Sequence, residues 1–140
     1  MTYSELVKLA LEARENAYAP YSNWKVGAAL LTKDGKVYKG CNVEISSFSP
    51  TICAERVALF KAVSEGVQDF KMIAIVGGNK DEGVKNYCAP CGVCRQALSE
   101  FCDPDSFEVI VGIDENTYYV KPLRELIPDI TFVKTEGEWF

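Results

Sequence analysis

Two short cysteine-bearing segments, residues 53–56 (CAER) and 90–94 (PCGVC), constrain the fold of this 140-residue chain more than any other feature. Each stands where a helical pattern begins, because the sequence predicts helices over residues 53–64 and 92–101. The first turn of a helix carries unpaired N–H groups and a partial positive charge, and both favour thiolates there. A fold that brings these two helix starts together places three thiolates at one point.

The rest of the pattern predicts a single α/β domain over residues 1–140. An amphipathic helix is expected over residues 4–17, with Ser4 as its N-terminal cap. Strands are expected at residues 26–31, 37–42, 70–77, 107–113 and 118–120, and one helical turn at 122–126. This alternation predicts a five-stranded mixed sheet layered with helices.

The absence of histidine among the 140 residues narrows the chemistry. It excludes serine–histidine and cysteine–histidine nucleophilic mechanisms and any histidine-ligated metal. Cys91 and Cys94, three residues apart, project to the same side of a helical turn. With Cys53 they fill three of the four tetrahedral positions of Zn²⁺ and leave the fourth for water, as catalytic zinc sites do. We therefore predict that Cys53, Cys91 and Cys94 hold one Zn²⁺.

Glu55 follows the first predicted ligand by two residues, too close in sequence to serve comfortably as a fourth ligand. Zinc lowers the pKa of its water, and a nearby carboxylate moves the proton in hydrolytic deamination. We predict that Glu55 is this catalytic proton shuttle. Arg56 and Arg95 lie beside the two ligand segments, and we predict that they hydrogen-bond the sulfurs and moderate their negative charge.

Cys88 leaves a second arrangement open. With Cys91 and Cys94 it forms Cys-x-x-Cys-x-x-Cys, and adding Cys53 would close a four-thiolate structural zinc site in a non-catalytic module. Pro90 places Cys88 outside the helix start that directs the other two cysteines, which favours the three-thiolate site.

Charge and hydropathy argue against nucleic-acid and membrane partners. The net charge is −5, without the basic stripe that is typical of nucleic-acid binding. No segment reaches the roughly 18 consecutive apolar residues of a membrane span, and the charged N-terminal residues are not typical of a secretory signal. We expect a cytoplasmic protein with a small-molecule substrate, no nucleic-acid or membrane partner, and reduced cysteines.

The chain resembles the small, homotetrameric, zinc-dependent cytidine deaminases over nearly its whole length. The shared segments are the two cysteine elements and residues 19–22, 26–29, 40–44 and 61–66. The resemblance implies a three-layer α/β/α fold and hydrolysis of cytidine and 2′-deoxycytidine to the uridine nucleosides and ammonia. It also implies one Zn²⁺ per subunit and a homotetramer whose active sites are shared between subunits.

The resemblance assigns substrate contacts as well. It implies that Asn42 and Glu44 bind the ribose hydroxyls. It also implies that Glu55 and the backbone at Ala54 bind the edge of the pyrimidine. An aromatic residue lines the pocket at position 24, which is Trp24 here where the family usually has Phe.

Departures from the family pattern keep a related activity open. The C-terminal Phe that stacks on the base in the family corresponds to Thr131 in this chain. The resemblance therefore assigns base stacking to the adjacent Phe132. Ile45 and Phe48 replace the usual Asn and Tyr in a loop that in the family reaches the neighbouring subunit's site. The alternative is deamination of a cytosine nucleoside analogue, as in blasticidin S deaminase.

Overall fold

The computed structural model describes residues 1–129, and its regular elements follow the predicted order. In chain order they are α1 (Tyr3–Arg14), β1 (Trp24–Thr32), β2 (Val37–Cys41), α2 (Ala54–Ser64), β3 (Phe70–Asn79), α3 (Gly92–Phe101), β4 (Glu108–Asp114), β5 (Thr117–Pro122) and α4 (Leu123–Leu126). Among these described residues, no helix is long and apolar enough to cross a bilayer.

The five strands form one mixed sheet in the order β2-β1-β3-β4-β5. Strands β3 and β4 pair in parallel, and the other neighbours are antiparallel. β3 lies in the middle and is buried over nearly its whole length, which suits its mostly apolar sequence. The predicted five-stranded mixed sheet is confirmed.

Successive side chains along each strand point to opposite faces of the sheet, so they contribute to two separate hydrophobic cores, one on each face. Ala28, Leu30 and Ile75 belong to the core that contains the buried side chains of α2, α3 and α4. Ala29 and Leu31 belong to the core that contains those of α1. The protein therefore has the expected three-layer α/β/α arrangement, and both cysteine-bearing helices lie on the same face.

Helix α1 differs from its prediction at both ends. Its N-cap is Thr2, whose hydroxyl accepts from Glu5 N at 3.1 Å while the Glu5 carboxylate accepts from Thr2 N at 2.7 Å. The prediction of Ser4 as the cap was wrong, because only Thr2 has an acidic partner three residues later for this reciprocal capping box. Ser4 lies inside the helix and donates to Glu115 O at 2.8 Å.

Arg14, the last residue of α1, ties this helix to the ends of two strands. Its side chain is buried. Nε donates to Lys25 O at 3.0 Å, and Nη2 donates to Gly78 O and Asn79 O at 2.9 and 2.8 Å. Three bonds from one guanidinium thus fix the start of β1 against the end of β3.

Two glycines let the helices lie close to the sheet. A Cβ on Gly27 would lie 2.1 Å from Ala10 O of α1, and a Cβ on Gly40 would lie 2.4 Å from Ala54 O and 2.6 Å from Ala58 N of α2. Contacts this short with backbone atoms force the helix away from the strand. Gly40 therefore determines where the start of α2 lies.

We expect Gly40→Ala to lower the free energy of unfolding by about 1–3 kcal/mol through overpacking and to weaken zinc retention, because it displaces the helix start that follows Cys53. Gly27→Ala is the matched control: it overpacks α1 on the opposite face, so it should lower stability similarly and leave zinc retention unchanged. Chemical denaturation and competition with a chelator measure the two effects. Equal loss of zinc in both variants would contradict this account.

Candidate metal centre and active site

Three thiols meet where α2 and α3 begin. Cys53 and Cys91 are the N-caps of these helices, and neither side chain makes a capping hydrogen bond. Cys53 Sγ lies 3.7 Å from Cys91 Sγ, which lies 3.4 Å from Cys94 Sγ. Zinc with Zn–S bonds of about 2.3 Å in a tetrahedron separates neighbouring sulfurs by roughly 3.8 Å. The three cysteines are therefore placed to bind Zn²⁺, as predicted.

Cys88 does not join this cluster. Of the potential ligands among residues 1–129, only Cys53, Cys91 and Cys94 converge as a group of three or more, with their sulfurs within 4.8 Å of one another. The sulfur of Cys88 instead lies close to Gly77, and its side chain lines an adjacent cavity. The four-thiolate structural site is not formed.

Hydrogen bonds at the cluster separate the pKa values of two thiols. The bond with Cys94 and a second bond from Arg56, whose Nη2 lies 3.4 Å from the sulfur, lower the pKa of Cys53 to about 5. The same contact with Cys53 raises the pKa of Cys94. Of these two thiols Cys53 ionises first, and Arg56 offsets its charge.

Arg56 has the contact that was predicted for it, but Arg95 does not. Arg95 Nε donates to Pro90 O at 2.8 Å, and its Nη1 donates to Leu126 O at 2.7 Å. These two carbonyl oxygens draw the guanidinium of Arg95 to the segment before α3 and to the end of α4. The prediction of a sulfur contact for Arg95 is corrected: it anchors the segment before α3.

Glu55 lies in the first turn of α2, and only 3% of its surface is exposed. Burial raises the pKa of its carboxyl group, because a charged carboxylate loses its hydration there. The side chain lines the same cavity as Cys53 and Cys91. A proton-carrying group therefore stands directly beside the candidate metal site.

This cavity has a volume of about 330 Å³, within the usual range of small-molecule sites. Its lining includes all the described residues for which the sequence predicts a substrate contact: Trp24, Asn42, Glu44, Ala54 and Glu55. The fold thus brings residues from β1, the segment after β2 and the start of α2 to one place.

Asn42 and Glu44 also brace the segment that carries Trp24. Asn42 Oδ1 accepts from Val26 N, and its Nδ2 donates to Trp24 O, each at 2.8 Å. Glu44 Oε1 accepts from Tyr21 N and Ser22 N, both at 3.1 Å, and Oε2 accepts from the Ser22 hydroxyl. Burial raises the pKa of Glu44, but the hydrogen bonds from Ser22 and Tyr21 outweigh it, so the net shift is downward.

Comparison with known proteins gives the same assignment as the geometry. Residues 1–110 match the sequence profile of the cytidine and deoxycytidylate deaminase zinc-binding region. The chain belongs to the cytidine and deoxycytidylate deaminase family. The crystal structure of cytidine deaminase from Burkholderia pseudomallei has a TM-score of 0.84 and 45% identity over 94% of this chain and 100% of that one.

Two further relatives within this deaminase family differ in their names. Cytidine deaminase of Sporosarcina psychrophila is 50% identical over 103 residues, which are 74% of this chain and 72% of the relative. Blasticidin-S deaminase of Bacillus cereus is 36% identical over 129 residues, 89% of this chain and 88% of the relative.

Two lining residues of this deaminase site have roles that the sequence analysis did not assign to them. Ser22 lines the cavity and donates to Glu44; its place two residues before Trp24 was the available signal. Cys88 was considered only as a metal ligand, whereas it lines the cavity. Thr131 and Phe132 lie outside the described residues, so the assignment of stacking to Phe132 stays a prediction.

We expect Cys91→Ser to weaken zinc binding more than about tenfold. Even mutation of a residue that only hydrogen-bonds a metal ligand commonly lowers metal affinity by about 10–100-fold. Cys88→Ser is the matched control and should keep one zinc ion per chain, because its sulfur lies outside the cluster. Metal analysis after dialysis against a chelator makes the comparison. Loss of zinc from both variants would contradict the three-thiolate assignment and favour the four-thiolate site.

Proposed function

We propose that this chain hydrolyses cytidine and 2′-deoxycytidine to uridine and 2′-deoxyuridine with release of ammonia. The observation that carries the proposal is a buried glutamate, Glu55, beside three convergent thiols in a cavity of nucleoside-binding size. The relatives named cytidine deaminase support the choice of substrate.

The catalytic roles follow from position. Cys53, Cys91 and Cys94 would hold Zn²⁺, which would supply a Lewis acid that lowers the pKa of the attacking water molecule. The Glu55 carboxylate accepts a proton from this water while the oxygen attacks C4 of the pyrimidine. Glu55 delivers this first proton to N3, accepts the second proton from the hydroxyl now on C4 and delivers it to the amino group, so that ammonia leaves as the C4–N bond breaks and the C4=O bond forms. Burial suits Glu55 to this task, since its raised pKa helps it to hold a proton between transfers.

Glu44 keeps room for one more hydrogen bond. An ionised carboxylate has about four acceptor sites, and Tyr21 N, Ser22 N and the Ser22 hydroxyl fill three of them. The lowered pKa of Glu44 keeps it ionised. A ribose hydroxyl is the donor that we assign to the remaining site, and Asn42 lies beside it in the cavity lining.

We propose a homotetramer with shared active sites and a cytoplasmic location. Phe48 is 67% exposed and Ile45 is 39% exposed, and both lie in the segment that the family resemblance places against a neighbouring subunit. The six free thiols support a reducing compartment. The acidic net charge supports a free nucleoside rather than a nucleic acid as the substrate.

We expect Glu55→Gln to retain zinc and to lower kcat for cytidine by about 10²–10⁴-fold, the usual contribution of a positioned proton carrier. Glu44→Gln serves as the comparison and should mainly raise KM, because Glu44 is assigned to ribose. The decrease in ultraviolet absorbance on deamination measures both variants. Near-normal turnover by Glu55→Gln would overturn the mechanism.

The blasticidin-S deaminase relative makes deamination of a nucleoside analogue the second candidate. We expect kcat/KM for cytidine to exceed that for blasticidin S, since Glu44 is held in place to accept from an ordinary ribose hydroxyl. Parallel assays of cytidine, 2′-deoxycytidine and blasticidin S under identical conditions decide between them. A clear preference for blasticidin S would favour the second candidate and reject the ribose assignment of Glu44.

A further inference from the structure

Gly77 of β3 lies where two cavity-lining side chains need space. A Cβ on Gly77 would lie 2.7 Å from Cys88 Sγ, 2.9 Å from Cys88 Cβ and 3.2 Å from Trp24 Nε1. The first two separations are shorter than any normal non-bonded contact. Cys88 and Trp24 therefore occupy the volume that a side chain at position 77 would fill, and they can lie against the sheet only because that side chain is missing.

This contact lies at the reactive end of the cavity. Trp24 and Cys88 line the cavity together with Glu55 and Cys53. Burial raises the pKa of the Cys88 thiol, and the nearby charges of Glu55 and Cys53 raise it further. The wall of this cavity that Glu55 shares with Trp24 and Cys88 is the part that we assign to the base, which reacts.

The contacts proposed for the rest of the base limit where C5 can lie. Glu55 and the backbone at Ala54 take the edge of the pyrimidine that carries N3 and the reacting C4. C5 is bonded to C4 on the side away from N3, so a substituent on C5 must meet a different part of the cavity lining near the reacting carbon. Trp24 and Cys88 line the cavity together with Glu55, and we assign this position to their aromatic ring and thiol.

We propose that Gly77 and Cys88, together with Trp24, form a specificity-determining wall that limits the size of substituents on C5 of the pyrimidine. We name these three residues the base wall. This inference deepens the proposed function and rests on it. Cys88 acts in the base wall through its volume and not as a metal ligand.

The base wall is held in place from behind, which a size filter requires. Trp24 O accepts from Asn42 Nδ2 at 2.8 Å, and Trp24 N donates to the Ser22 hydroxyl at 3.0 Å. Arg14 binds Lys25 O and Gly78 O, the neighbours of Trp24 and Gly77 along their strands. A wall supported by backbone bonds on both strands cannot yield easily to a larger substrate.

The test compares kcat/KM for 5-methylcytidine with that for cytidine. One methyl group in a tight pocket changes kcat/KM by roughly 10–200-fold. Cys88→Ala should therefore raise the ratio of 5-methylcytidine to cytidine about tenfold or more and keep zinc. Cys41→Ala, which removes a half-buried thiol that does not line this cavity, is the matched control and should leave the ratio unchanged.

A rescue experiment tests the role of Gly77. Gly77→Ala pushes Cys88 or Trp24 into the cavity and should lower kcat/KM for cytidine about tenfold or more. Adding Cys88→Gly removes both contacts shorter than 3.0 Å and should recover most of the loss. An unchanged substrate ratio in Cys88→Ala, or no recovery in a folded double variant, would overturn the base wall.

A binding measurement separates this inference from the proposed function. If the wild-type chain does not deaminate cytidine, the proposed function fails, whereas the Kd values of uridine and 5-methyluridine still report the room beside C5. The base wall predicts weaker binding of 5-methyluridine by the wild-type chain and a smaller difference in Cys88→Ala. Equal Kd values for the two nucleosides in the wild type would reject it.

Discussion

The meeting of two helix starts at one point is the constraint on which the site depends. Cys53 and Cys91 cap α2 and α3, so each thiol lies beside the positive end of a helix. Three sulfurs within 4.8 Å of one another would otherwise repel each other once ionised. The helix ends, Arg56 and a divalent cation together offset that charge. The sheet makes the meeting possible, because α2 and α3 pack on the same face of it.

The rest of the cavity is positioned mainly by hydrogen bonds between side chains and the backbone. Asn42 binds the backbone on both sides of Lys25, and Glu44 binds two successive amides at Tyr21 and Ser22. Such bonds hold a segment without regular structure in one arrangement before a ligand arrives. Preorganisation of this kind lowers the entropy that binding must otherwise overcome. The cavity can therefore keep its shape although Tyr21 and Ser22, just before β1, belong to no helix or strand.

Local patterns in the sequence predicted the helices and strands, and their order along the chain predicted the mixed sheet. The three ligands could be predicted because each stands at the start of a predicted helix. The direction of Arg95 could not be predicted from spacing, because it follows Cys91 by four residues, which also places helix residues side by side. Its acceptors are set by the approach of Pro90 and Leu126. The place of Cys88 could not be predicted either. Its surroundings depend on Gly77 and Trp24, which belong to two other segments, and nothing near Cys88 in the sequence indicates that they meet. The cap at Thr2 was missed for a simpler reason, since the reciprocal pair with Glu5 was overlooked.

The residues proposed to contact the ribose and the base share one support in this fold. Asn42, assigned to the ribose, donates to Trp24 O, and Ser22, which donates to Glu44, accepts from Trp24 N. With the contacts proposed for ribose and base, a shift of either polar group on binding a sugar would reach the backbone of Trp24 directly. We therefore expect sugar and base preferences to be coupled through the backbone of Trp24.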